Sequence, residues 1–141
     1  MAKKGNSSYV LKPRLRVVAG DVIVLGPGKA DLLEAIEEKG ELRAAAGQLG
    51  MSYMRAWTLL REMNRAFGRP LVETARGGKT HGTARLTRLG RRVLALYREI
   101  EMRSAEAAGP AWRKLRRLLP DRSTSRQSRR PQSNRTWPRN T

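Results

Sequence analysis

The chain has 141 residues, of which 30 are Lys or Arg and 12 are Asp or Glu, giving a formal charge of +18 and a pI near 11.7. Such a charge points first to nucleic acid, ahead of acidic proteins and membranes, and 39% apolar residues with only seven Phe, Trp and Tyr support one modest core plus tails. The absence of cysteine excludes disulfides, thiolate nucleophiles and Cys-type zinc sites and fits a reducing cytoplasm, and no apolar run nears the ~20 residues that span a bilayer.

Residues 1–8 carry basic groups but no apolar stretch of signal-peptide length, and are expected to be a disordered lead-in to a domain over residues 9–108. Leu15 and Val17 alternate with Arg14 and Arg16, and Val22 to Leu25 is a β-branched run, so the two segments predict a hairpin turning at Gly20-Asp21. Pro13 confines the first strand to an edge or delays its start. Pro27-Gly28 reads as the break after the second strand, and Leu32, Leu33 and Ile36 mark one side of a helix from about Lys29 to Lys39, stopped by Gly40.

The stretch from Glu41 to Phe67 predicts two helices joined by the turn Gly50-Met51-Ser52. Leu42, Ala45, Ala46 and Leu49 share one face of the first, where small side chains permit close helix approach. Gly50 supplies the left-handed residue that ends it, and Ser52 is an N-cap for the second. In that second helix Ala56, Leu60, Met63 and Phe67 form the apolar stripe, with Met54, Thr58, Arg61 and Arg65 opposite. Helix, glycine turn, helix is the helix-turn-helix arrangement, whose second helix lies in the DNA major groove with its N-terminal residues against base edges. Arg55 and Arg61 suit bidentate bonds to guanine, Met54 and Thr58 suit a thymine methyl, and Ser52 or Tyr53 suits a phosphate. Alone, such arginines are more often the solvated face of an amphipathic helix; the glycine turn, the basic hairpin that follows and the net charge favour DNA. Trp57, at the stripe's edge, is expected to pack.

After Pro70, Leu71 to Thr74 and Ala84 to Leu86 predict a second hairpin, or wing, joined through Ala75 to Thr83. Its loop places Arg76, Gly77, Gly78, Lys79, Thr80 and His81 where flexible backbone and basic side chains can grip phosphate. No acidic residue occurs between Glu73 and Glu99, whereas seven Lys and Arg do. Gly77-Gly78-Lys79-Thr80 resembles the end of a nucleotide-binding P-loop, but the earlier glycine position holds Glu73 and the loop leads into a strand, so that reading fails. His81 has no Cys or second His with which to share a metal. No nucleophile, base or metal-water set can be assembled, so neither catalytic residues nor a cofactor are expected.

Thr87 is placed to cap a long helix in which Leu89, Val93, Leu96, Tyr97 and Ile100 line one side until Gly109-Pro110 breaks it. Two uses of that face stand open: contact with a second copy, or cover for the chain's own helices and hairpin. Trp112, Leu115, Leu118 and Leu119 alternate with basic residues, and residues 110–141 hold ten Lys and Arg against one Asp, so 109–141 are expected to be a basic, largely disordered tail. The predicted fold class is α+β: a winged helix-turn-helix with an N-terminal β-hairpin, a long C-terminal helix and a disordered basic tail.

Ser52-Tyr53, Ala56-Trp57 and Met63-Asn64, then Leu71-Val72-Glu73, Ala75, Gly77-Gly78-Lys79, Ala84, Leu86-Thr87 and Gly90, resemble the DNA-binding domain of the ModE-type molybdate-responsive transcriptional regulators. The resemblance runs from about Leu25 to Ile100. It implies a winged helix-turn-helix, a homodimer and sequence-specific binding to operator DNA. Thr80, His81 and Thr83 depart from the family's wing loop, which is nearly all glycine after its lysine. The molybdate sensors of that family carry C-terminal oxyanion-binding domains where this chain has a short basic tail, so the expectation is action without an effector or with a separate oxyanion-binding partner protein. Double-stranded DNA, a second copy and a cytoplasmic, nucleoid-associated setting are the expected surroundings, with a sequence-independent nucleoid or RNA-binding protein as the alternative.

Overall fold

The computed structural model describes residues 9–75 and 82–120. Residues Lys12–Ala107 form one compact unit. Within it, β1 (Val17–Ala19) and β2 (Val22–Leu25) pair antiparallel, Val18 opposite Ile23 and Ala19 opposite Val22. Gly20 makes the turn at φ 60°, in the left-handed region that glycine enters without a Cβ penalty. The strand starts four residues after Pro13, consistent with a ring that supplies no N–H to a ladder.

Helix α1 (Pro27–Lys39) begins two residues before the sequence reading placed it. Pro27 is not a breaker here but a first-turn residue, where its missing N–H would have had no helical partner in any case. Gly40 closes the helix in the left-handed conformation, its N–H donating to the Ile36 carbonyl at 2.8 Å. Helix α2 (Leu42–Gln48) buries Leu42, Ala45 and Ala46, and Leu49 packs partly against the same core. Its end is a Schellman motif: Met51 N–H donates to Ala46 O at 3.0 Å, Gly50 N–H to Gly47 O at 3.1 Å, and Gly50 sits at φ 66°.

Helix α3 (Tyr53–Phe67) buries Ala56, Leu60 and Met63 as its spacing predicts, and Leu59 as well. A stripe wider than one column is usual for a helix lying on a core, and burying each Leu or Met stabilises by about 1.5–3 kcal/mol. The wing is β3 (Val72–Thr74) against β4 (Ala84–Leu86), in register Val72 to Leu86 and Thr74 to Ala84. Asn64 fixes its start by accepting the Leu71 N–H at 2.8 Å. Ala84 N–H donates to Gly40 O at 2.9 Å and Thr83 bridges to Glu41, so the returning strand is tied to the junction of α1 and α2.

Thr87 caps helix α4 (Arg88–Arg117), its hydroxyl oxygen accepting the Gly90 N–H at 3.0 Å. The expected stop at Gly109-Pro110 is corrected: the helix runs to Arg117 with Pro110 inside it. One proline costs a helix the single bond its N–H would have made, here to the Glu106 carbonyl, and about 3 kcal/mol, which flanking helix-formers can offset. Val93 and Tyr97 join the core, and the Tyr97 hydroxyl donates to Leu15 O at 2.8 Å. Arg98 ties α4 to α1, donating to Asp31 at 2.8 Å and Glu34 at 2.9 Å, and also to Glu101 at 2.8 Å. Burial opposes its charge, but the hydrogen bonds to Asp31 and Glu101 outweigh that and hold its pKa above the ordinary value.

The chain's two ends form the second unit, in which Tyr9–Leu11 and Ala108–Pro120 are described. There α4 carries Leu115 exposed and Trp112 half-buried. Among the described residues no helix is long and apolar enough to cross a membrane.

Candidate nucleic-acid interface

The interface is built from the turn upward. Gly50 swings the chain so that Ser52 enters α3 in extended conformation, and the Arg55 N–H donates to Ser52 Oγ at 3.0 Å. The cap satisfies one of the four free N–H groups and leaves others in the first turn, where α3 has no acidic residue; such a helix start favours an anion. Arg43 of α2 lies over the Tyr53 ring, 4.8 Å from guanidinium carbon to centroid, and Tyr53 meets Trp57 edge to face at 6.2 Å. These contacts fix where α3 starts relative to α2. Trp57 is half-buried against the core, the packing role its position predicts.

Of the residues expected to meet DNA, the cap Ser52 and Met54, Arg55, Thr58 and Arg61 of α3 are all exposed, Met54 at 72%, and Tyr53 is half-buried between Arg43 and Trp57. The Thr58 hydroxyl donates to the Met54 carbonyl at 3.0 Å, which leaves the methyl as its free apolar group. Arg55, Arg61 and Arg65 make no salt bridge with a described residue. The wing residues Arg76, Gly77, Gly78, Lys79, Thr80 and His81 lie outside the described residues. The apolar side of α4 divides: Val93 and Tyr97 are buried within the chain and Leu89 packs partly on the core, while Leu96 and Ile100 are each 49% exposed. The use as cover for the chain's own core therefore holds for Val93 and Tyr97, and Leu96 and Ile100 remain outward.

A groove of about 980 Å³ that periodicity could not disclose opens beside α3, between that helix and the N-terminal hairpin. Arg14 and Arg16 line it from the hairpin side and Arg55, Arg61 and Arg65 from α3. Lys29 lies at its floor, buried, with Nζ donating to the Ile23 carbonyl and paired to Glu62 at 3.1 Å; it binds hairpin, α1 and α3 together. Among the described residues no group of three or more His, Cys, Asp or Glu side chains is placed to hold a metal ion.

Residues 29–91 match the family described as bacterial regulatory helix-turn-helix protein, LysR family. The molybdenum-pterin-binding protein MopA of Rhodobacter capsulatus is 39% identical over 85 residues, 60% of this chain and 32% of that protein. The DNA-binding transcriptional dual regulator ModE of Escherichia coli K12 is 42% identical over 71 residues, 50% of this chain and 27% of that protein. The chain thus spans about a third or less of the length of these relatives. The DNA-binding domain of CbnR, solved with DNA, superimposes with a TM-score of 0.50 at 24% identity, over 62% of this chain and 94% of that one, and shares its fold. Family match, relatives and fold agree with the motifs from Leu25 to Ile100: the chain carries a ModE-like helix-turn-helix DNA-binding domain.

Proposed function

We propose that the chain is a sequence-specific transcriptional regulator that binds double-stranded DNA as a homodimer in the cytoplasm. The observation that carries the proposal is α3: capped by Ser52, placed by the Gly50 turn, and presenting Met54, Arg55, Thr58 and Arg61 exposed together, with neither arginine in a salt bridge with a described residue. Seated in a major groove, Arg55 and Arg61 bond guanine edges and the Met54 and Thr58 side chains meet thymine methyls, while the helix start takes a phosphate. The wing, including Lys79, grips backbone or the neighbouring minor groove. Leu96 and Ile100, one turn apart on α4, form the contact with a second copy, so that two reading heads face a two-fold symmetric site.

Selection from a random duplex library is expected to enrich an inverted repeat whose half-sites lie about one helical turn apart. Absence of any enriched motif contradicts regulation by sequence and leaves charge-driven, sequence-independent binding.

A further inference from the structure

The role of Arg14 and Arg16 is set by what faces them. Both are exposed, neither is in a salt bridge with a described residue, and they line the same groove as Arg61 and Arg65. Six cations line that groove against two carboxylates, Asp21 and Glu62, and Glu62 is already engaged by Lys29 at 3.1 Å. Arginines that outnumber the carboxylates beside them carry a self-repulsion that an anion relieves, and open grooves lined mainly by one sign of charge concentrate the opposite sign. Val22 and Ile23 add an apolar wall beside the cations, suited to the sugar edges between phosphates.

A helix seated in the major groove, about 12 Å wide, has a phosphate strand along each flank. One flank of α3 is this groove. We propose that the groove between the N-terminal hairpin and α3 holds one phosphate backbone of duplex DNA, with Arg14 and Arg16 gripping it from the hairpin side and Arg65 from the helix. The inference rests on the DNA-reading role of α3 proposed above and adds to it a second grip, ahead of the helix-turn-helix in sequence. The hairpin then has a task beyond packing: the segment that enters β1 carries Arg14 and Arg16 on a groove whose two sides, β2 and α3, Lys29 ties together. These contacts fix register on the duplex and carry no base preference.

The test compares the full chain with Arg14→Ala/Arg16→Ala and with Arg14→Glu/Arg16→Glu, on the duplex enriched by selection and on a scrambled duplex, across a salt series. Both side chains are exposed, so the fold is expected to persist, and matching circular dichroism melts establish that it does. The expected result is about tenfold weaker binding of the alanine variant to both duplexes, with the slope of log affinity against log salt shallower by about 2 and base preference kept. The glutamate variant is expected to bind weaker still. Unchanged affinity and slope, with wild-type preference intact, overturn the backbone grip while sparing the reading role of α3. Weakening confined to the enriched duplex overturns it too, because it assigns these arginines to bases. If the wild type shows no preference between duplexes, the reading role fails instead, and the salt slope on either duplex still decides the grip.

Discussion

Gly90 shows how one missing methyl group sets the geometry of the wing. A Cβ built there lies 2.0 Å from the Leu71 carbonyl oxygen, a backbone atom that the Thr87 N–H already holds at 2.9 Å. Gly90→Ala must therefore push α4 away from the start of β3, and is expected to destabilise the domain by about 3 kcal/mol in urea denaturation, toward the upper end for overpacking. An unchanged midpoint would mean that the two elements do not approach so closely. Tyr97, 2% exposed, offers a different residue-scale test. Burial, reinforced by the charge of Glu101 and opposed by Arg98, raises its pKa above 10.0. The unfolded chain then loses this proton first, so the stability it contributes is complete below pH 10.0 and falls as pH rises toward the folded pKa. Tyr97→Phe removes the bond to Leu15 O, costing about 1 kcal/mol near neutrality, and should flatten the loss of stability above pH 10.0 when melts are compared. Equal alkaline slopes in the two proteins would contradict the assignment.

At the scale of elements, α2, the turn and α3 were legible because their punctuation is local: Gly50 needs positive φ and Ser52 needs only its own helix's N–H groups. Two proline positions show the limit of such punctuation. Pro27 opens α1 and Pro110 lies inside α4, although both read as breakers, because a proline's cost depends on whether its N–H and ring face a helical partner and on what surrounds it. Pro110→Ala restores the bond to the Glu106 carbonyl and is expected to stabilise that part of α4 by up to about 3 kcal/mol, read as higher helicity and slower amide exchange around residues 106–112. Unaltered exchange would show that the proline costs nothing there. The division of α4 into buried Val93 and Tyr97 and exposed Leu96 and Ile100 was not legible either, since all lie on one apolar side and only tertiary packing decides which part is covered. The same holds for the groove of Arg14, Arg16, Arg61 and Arg65, whose walls are some 45 positions apart in sequence.

Over the whole molecule, the charge of +18 would draw the chain to any polyanion, and steep salt dependence follows from that alone. What separates a regulator from a general basic binder is where the arginines stand that make no salt bridge with a described residue. Arg55 and Arg61 are carried on a rigid helix whose start is fixed by Ser52, Arg43 and the Schellman turn, the placement that base reading requires. Arg14 and Arg16 stand across the groove, placed for backbone. The most direct test of this account is the affinity of Arg55→Ala and Arg61→Ala for the selected duplex and for its scrambled counterpart at one salt concentration. Each substitution is expected to weaken the selected duplex by about ten- to a hundredfold, one lost bidentate contact, and the scrambled duplex far less. Equal weakening on both duplexes, or none on either, would contradict α3 as the element that reads sequence.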